Sequence, residues 1–155
     1  MAELELRRTA GDRRLYALDG VGTLRLTGWG SRSATAEAGD RTWQLSGEGI
    51  FKQTLKASDA SGASVGEFED RSFGRGGTLR WAGREIALRS SGISGQRFAM
   101  VDIERELATF EACGWGKHPV RIDVHDDVEL DPGLLLFGAF VINKLARDAS
   151  AADAY

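Results

Sequence analysis

Polar and apolar residues alternate along short segments through most of the chain. Residues 23–29 show the pattern most clearly, because Leu24 and Leu26 fall on one face while Arg25 falls on the other. A period of two residues is typical of an antiparallel β-strand with one buried and one solvated face. We therefore predict a half-buried strand in this segment.

Similar segments recur along the chain at intervals of about 8–12 residues, a density typical of β-sandwiches and barrels. Short polar connectors separate them, and the clearest, residues 58–62 and 82–83, predict hairpin turns. Residues 104–112 have a composition that also suits a helix, but we favour a strand because strands surround them. The predicted strands are residues 3–8, 15–18, 23–29, 34–37, 42–46, 49–57, 63–69, 78–81, 84–89, 96–103, 104–112 and 119–124.

One segment near the C-terminus differs, because residues 132–148 are apolar on nearly every face. Asp131 is suited to an N-cap and Pro132 to the first helical position, so we predict a helix about 25 Å long. Its apolar run, residues 134–142, is far shorter than the ~20 residues of a membrane span. We expect residues 150–155 to form a flexible tail. The predicted core residues of the helix are Leu134, Leu135, Phe137, Phe140, Val141 and Leu145.

A helix that is hydrophobic all round must be buried on all sides or lie in a membrane. A closed barrel of about twelve strands is wide enough to need filling, so the helix and the strands explain each other. The sequence therefore predicts a mainly-β fold: a closed antiparallel barrel around a buried C-terminal helix. We expect one domain, residues 1–149, and Asn143 would need a hydrogen-bond partner inside it.

Composition narrows the function classes. The net charge of −3 argues against nucleic acid as a partner, and Cys113, the single cysteine, excludes a disulfide framework or a Cys-rich zinc site. Residues 1–8 lack the apolar core of a signal peptide, so we expect a cytoplasmic protein, either free or peripheral at the inner membrane face. No P-loop, dinucleotide fingerprint, HExxH or G-x-S-x-G motif is present, so we expect no enzymatic activity.

Two hairpin segments and the terminal helix bring a family resemblance. The segments are L-K-A-S-D-A-S-G-A-S-V-G-E-F at 55–68 and L-R-W-A-G-R-E-I-A-L at 79–88. With the dozen strands, they resemble the tubby C-terminal-like superfamily, which includes tubby domains, phospholipid scramblases and LURP-one-related proteins, here in a bacterial-type single-domain form. The resemblance covers residues 4–148 and implies a twelve-stranded barrel around a central helix.

The resemblance also implies a function. It points to a non-enzymatic binding or scaffold domain that recognises a protein partner or a lipid or phosphate headgroup. The alternative is a scramblase-like membrane-surface protein, responsive to calcium, that uses the C-terminal helix as an anchor. A helix buried in the barrel favours the binding domain, and an exposed helix favours the membrane-surface protein.

Tubby domains bind phosphoinositide headgroups through Lys and Arg on one side of the barrel, and four arginines are the nearest candidates here. The basic, glycine-rich loop at 71–77 could bind phosphate, because glycine leaves backbone N–H groups accessible and arginine donates bidentate hydrogen bonds. An ordinary solvated turn is the alternative. Arg13, Arg14 and Arg32 lie elsewhere in the sequence. The four candidates are Arg71, Arg75, Arg80 and Arg84.

The acidic run 125–131 precedes the helix, where scramblases have a calcium-binding type of segment. Asp126, Asp127 and Glu129 supply hard oxygen ligands, although their spacing is not that of an EF-hand, and a plain acidic surface loop is the alternative. We therefore expect no cofactor, and calcium at these carboxylates is the alternative. Cys113 and His118 are the only obvious nucleophile and base, and nothing in the sequence marks this cysteine as reactive.

Overall fold

In a computed structural model the chain forms a closed antiparallel β-barrel with one helix. The structure describes residues 2–27, 33–48, 54–70, 76–90, 97–103, 105–113 and 119–153. The elements are β1 (Ala2–Arg8), β2 (Leu15–Leu18), β3 (Gly22–Thr27), β4 (Ser33–Ala38), β5 (Arg41–Glu48), β6 (Thr54–Asp59), β7 (Ser64–Asp70), β8 (Gly76–Trp81), β9 (Arg84–Ser90), β10 (Arg97–Asp102), β11 (Arg105–Ala112), β12 (Val120–Val124) and α1 (Pro132–Asp153).

Each strand pairs with its neighbours in sequence, and β1 closes the barrel against β12, with Leu4 opposite Ile122. Strand directions therefore alternate, and the connections fall at two ends of the barrel. We call the end at which α1 begins, after Asp131, the helix-start end. We call the opposite end, which contains the β1–β2 connection at residues 9–14, the arginine end. The predicted twelve-stranded antiparallel barrel is confirmed.

The alternation seen in the sequence corresponds to an inward apolar face and an outward polar face. In β3, for example, Leu24 is fully buried while Arg25 is exposed. Helix α1 approaches β4 and β11 most closely, and the inward residues of β4 are three alanines, Ala34, Ala36 and Ala38. Small side chains at these positions leave room for the backbone of a helix inside the barrel.

The helix fills the barrel as predicted. All six of its predicted core residues are buried, with no more than 5% of their surface exposed. Its end differs from the prediction: α1 continues to Asp153, so residues 150–153, expected as a flexible tail, are helical. The run Ala-Ser-Ala-Ala has high helix propensity through alanine, which explains the extension. Residues 154–155 lie outside the described part.

Residues 105–112 form a strand, as we favoured over a helix. The pairing between β10 and β11 shifts register between Met100 and Val101, a β-bulge. Leu107 and Ala108 are consequently both buried although they are consecutive. The bulge explains why the sequence pattern there is ambiguous, since it interrupts the strict alternation of inward and outward residues.

A cluster at the helix-start end fixes the beginning of α1. Asp131 accepts hydrogen bonds from both terminal nitrogens of Arg41, at 2.7 and 3.1 Å, and from the indole Nε1–H of Trp81 at 2.9 Å. Its Oδ1 also accepts the N–H of Gly133 at 3.4 Å, which confirms it as the predicted N-cap. The indoles of Trp43 and Trp81 cover Gly133, so the helix start and the barrel rim form one unit.

Asn143 is fully buried, and neither its amide nitrogen nor its amide oxygen has a hydrogen-bond partner among the described residues. The partner expected for it from the sequence is thus not found in that part of the chain. A buried amide without a hydrogen-bond partner costs free energy, so we expect Asn143 to lower the stability of the fold.

Candidate anion-binding site

The connection between β1 and β2 carries two pairs of arginines. Its sequence, from residue 7 to residue 14, is Arg-Arg-Thr-Ala-Gly-Asp-Arg-Arg, so one pair precedes the turn and the other follows it. Gly11 has a φ of 86°, a conformation that glycine adopts without strain. Because the chain reverses here, the two pairs come to the same end of the barrel. Residues 7–13 line an open groove with a volume of about 510 Å³.

Asp12 holds the connection in shape. Its Oδ1 accepts the backbone N–H of Arg14 at 3.0 Å, and its Oδ2 accepts Nη1–H of Arg25, on β3, at 2.7 Å. These bonds, the one from the Arg14 backbone first, lower the pKa of Asp12 below its usual value. The backbone N–H of Thr9 donates to the carbonyl oxygen of Leu15 at 2.8 Å. Hydrogen bonds therefore fix the conformation of the turn that forms the groove.

Ion pairs compensate little of the positive charge on this connection. Four arginines and one aspartate give residues 7–14 a net charge of +3, whereas the whole protein carries −3. Among the described residues, Arg8, Arg13 and Arg14 form no ion pair, and Arg7 has only a long contact of 3.8 Å with Glu5. Burial raises the pKa of Tyr16, and the positive charge of Arg8 opposes that shift without cancelling it.

Arginines elsewhere on the described surface are mostly neutralised. Ion pairs join Arg41 to Asp131, Arg84 to Asp102 and Arg97 to Glu111, and Arg105 to Asp127. A guanidinium already paired with a carboxylate has fewer N–H groups free for an anion. The concentration of unpaired arginine distinguishes the β1–β2 connection from these positions.

The two ends of the barrel differ in charge. The described turns at the helix-start end, residues 19–21, 39–40, 60–63, 82–83, 103 and 125–131, contain no lysine or arginine. They contain exposed acidic residues instead, namely Asp19, Asp40, Asp126, Asp127 and Glu129. Of the described connections, those at the helix-start end therefore repel an anion, and the groove at residues 7–13 attracts it.

Two of the four arginines proposed from the sequence, Arg80 and Arg84, lie in the described part of the chain, and both contact carboxylates. Arg71 and Arg75 lie outside the described residues. Strand β8 carries Arg80 to the helix-start end, where it contacts Glu85 at 3.6 Å. Arg84 follows the turn at that end and binds Asp102 at 2.6 Å. Arg80 and Arg84 are therefore at the same end of the barrel, and a common site formed by all four arginines stays a prediction.

The predicted calcium ligands lie on the connection between β12 and α1. Asp127 forms an ion pair with Arg105, and Asp126 and Glu129 are exposed. Across the described ranges, no three His, Cys, Asp or Glu side chains come together as a metal site would require. Calcium binding at these carboxylates is left without support from geometry, and it stays a prediction. Cys113 is exposed, while His118 lies outside the described residues.

Sequence reasoning gave Arg13 and Arg14 only a passing place and overlooked Arg7 and Arg8. The available signal was their symmetry, because two Arg-Arg pairs flank a glycine-containing turn between two predicted strands. A hairpin necessarily brings such pairs together.

Comparisons with known proteins add no relative. We found no protein-family model, no curated protein and no solved structure that matches the chain. Within the described residues, no helix has both the length and the apolar character needed to cross a membrane.

Proposed function

We propose that the protein is a non-enzymatic binding domain of tubby-like barrel type that recognises a phosphate-bearing anion, the headgroup of an anionic lipid. The observation that carries the proposal is the groove at residues 7–13, because its Arg8 and Arg13, and Arg14 directly after it in the chain, form no ion pair among the described residues.

The chemistry of arginine supports a phosphate ligand. A guanidinium presents N–H donors in a planar fork that matches two oxygens of a phosphate, and such charge-assisted bonds are the stronger kind. The groove volume of about 510 Å³ lies within the roughly 300–1,000 Å³ of small-molecule sites. Arg7, Arg13 and Arg14 are exposed and Arg8 is partly buried, so we expect binding that weakens as salt increases.

The charge difference between the two ends supports a lipid surface rather than a free anion. With acidic turns at the helix-start end and basic residues at the other, an anionic bilayer would orient the barrel with its arginine end toward the headgroups. Each Lys or Arg near such a surface contributes about 1 kcal/mol, which is roughly fivefold in affinity. On this proposal the protein is cytoplasmic and peripheral at the inner membrane face.

The scramblase-like alternative receives less support. It uses the C-terminal helix as a membrane anchor, but Leu134, Phe137 and Phe140 of that helix are buried inside the barrel. Exposing them would require the barrel to open and would sacrifice the burial of about 1.5–3 kcal/mol for each large apolar side chain.

Vesicle co-sedimentation tests the proposal with two matched double variants. Arg13→Glu with Arg14→Glu changes the groove, and Arg80→Glu with Arg84→Glu makes the same change in net charge at the helix-start end. We expect the wild type to bind phosphatidylcholine vesicles that contain a phosphoinositide and not phosphatidylcholine alone. The groove variant should lose at least about tenfold in affinity and the control less than about twofold.

Each outcome of that experiment has a meaning. Equal losses in the two double variants would show that net charge alone attracts the protein, and absence of vesicle binding by the wild type would overturn the lipid assignment. Competition by a soluble inositol phosphate would show that the groove reads the headgroup. Binding of inositol phosphate without any binding of vesicles would indicate a free phosphate ligand instead.

A further inference from the structure

The outer wall of the barrel has a shallow groove of mixed polarity at β8, β9 and β10. Thr78, Ala87 and Val101 pair across these strands and form one row. They are short side chains between long charged ones, which makes a depression of about 240 Å³ whose lining also includes Glu85, Arg89 and Ile103. This groove is separate from the arginine groove and contains none of its residues.

Ile103, at the edge of this depression, is the one large hydrophobic side chain that is exposed among the described residues, with 92% of its surface accessible. Its backbone has a φ of 54°, in the left-handed region. A β-branched residue is a genuine outlier there, whereas glycine or asparagine would be relaxed. Ile103 is thus both an exposed large apolar side chain and a β-branched residue with a left-handed backbone. Such local conflicts concentrate at functional sites.

The charges beside the row are opposite in sign. Glu85 and Arg89 lie on β9 on either side of Ala87, about 13 Å apart at ~3.3 Å per residue. Arg89 has no ion-pair partner in the described part of the chain. Glu85 is 67% exposed and contacts Arg80 only at 3.6 Å, a surface pair of the kind that contributes little. Both charges are thus available to an external partner.

We propose that this wall is a dimerisation surface and that its occupant is a second copy of the chain. A two-fold axis along the row Thr78–Ala87–Val101 places each row residue opposite its own copy. The same rotation brings Glu85 of one protomer opposite Arg89 of its partner, and the reverse pair forms on the other side. One patch then supplies both halves of the contact, as a two-fold interface requires.

The same axis gives Ile103 a partner. Ile103 follows β10 and lines the depression together with Glu85, whereas Ala99 is paired in register with Arg89. The rotation that joins Glu85 to the opposite Arg89 therefore brings Ile103 toward Ala99 of the other copy, a small side chain that leaves space for it. Two curved barrel walls touch over less than the ~800 Å² per partner of a stable interface, so the dimer is weak and depends on concentration.

Sedimentation equilibrium over a wide concentration range tests the dimer, with thermal unfolding as the check on folding. We expect the wild type to show a reversible monomer–dimer equilibrium. Ile103→Asn should weaken the dimer at least tenfold while the monomer keeps or raises its Tm, because asparagine tolerates the left-handed backbone. A wild type that stays monomeric throughout, or an unchanged dimer in Ile103→Asn, would overturn the proposal.

A charge exchange tests the orientation. Arg89→Glu and Glu85→Arg should each weaken the homodimer about tenfold, because each puts like charges opposite one another across the axis. An equimolar mixture of the two variants should associate again, since the mixed dimer contains only opposite-charge pairs. Failure of the mixture to associate better than either variant alone would contradict this axis.

Discussion

Replacing Asp131 by alanine removes the acceptor at the junction of helix and barrel. The carboxylate binds three groups at once: the guanidinium of Arg41, the indole N–H of Trp81 and the N–H of Gly133. Trp81 is only 4% exposed, so water cannot readily replace the lost acceptor for its N–H. The Asp131 side chain is 28% exposed. We predict that Asp131→Ala destabilises the fold more than substitution of a residue with that exposure usually does.

The magnitude follows from the three contacts. An unsatisfied buried N–H costs about 1–3 kcal/mol, and loss of an N-cap costs about 0.5–2, here at the lower end because the cap bond is long at 3.4 Å. The Arg41 side chain is 53% exposed, so its pair contributes about 0–1 kcal/mol. Together these predict a loss of about 2–4 kcal/mol.

Chemical denaturation followed by tryptophan fluorescence measures this loss, since Trp43 and Trp81 lie at the junction. Asp131→Asn keeps an acceptor and should lose less than the alanine variant. Asp127→Ala is the matched control, because Asp127 lies on the same connection, is 76% exposed and pairs only with Arg105 among the described residues. We expect the control to stay within about 0.5 kcal/mol. An Asp131→Ala variant no less stable than the control would show that this carboxylate does not join the helix start to the barrel.

Three further predictions concern stability. Gly133→Ala should cost about 1–3 kcal/mol in denaturant unfolding, because its Cβ would come within 2.5 Å of Trp81 and 2.7 Å of Trp43; an unchanged midpoint would show that the indoles move aside freely. Asn143→Leu should be neutral or stabilising by up to about 2 kcal/mol in the same assay, since it removes an unpartnered amide, whereas a large loss would reveal a partner beyond the described residues. Partial burial acts to raise the pKa of Asp131, but the bonds from Arg41 and Trp81 outweigh it and hold that pKa below 3.8. The Asp131 carboxylate therefore contributes its full stability above a pH of about 4, and this contribution is lost as the pH falls through the lowered pKa. The free energies of unfolding of wild type and Asp131→Asn should differ above the lowered pKa and become similar below it.

Much of the fold follows from local sequence. Alternation in segments such as Thr23 to Leu26 identifies strands because one face of each is buried, and an all-apolar helix requires a surrounding wall. Local sequence does not show where strand pairing interrupts the alternation of residues or where a helix extends beyond its apolar segment. The bulge at Leu107 depends on pairing with β10, and the extension of α1 to Asp153 depends on a helix already nucleated inside the barrel.

The candidate site was harder to predict than the fold. Nearness in sequence groups Arg80 and Arg84 with the arginines at 71 and 75, but it does not show that strand β8 ends at Trp81, so that Arg80 and Arg84 flank the turn at the helix-start end. Arg8 and Arg13, by contrast, come together because a turn joins them. Ion pairing also matters and is invisible in sequence, since the partner of Arg84 is Asp102, eighteen residues away.

An NMR titration shows whether the β1–β2 connection binds a phosphate-bearing headgroup. Soluble inositol phosphate is added to the isotope-labelled protein, and backbone amide shifts are followed for every assigned residue. We expect the largest, saturable shifts at Thr9 to Arg14, with the turns at 82–83 and 125–131 unchanged. Shifts concentrated at those turns, or none at Thr9 to Arg14 at saturating ligand, would contradict binding at this connection.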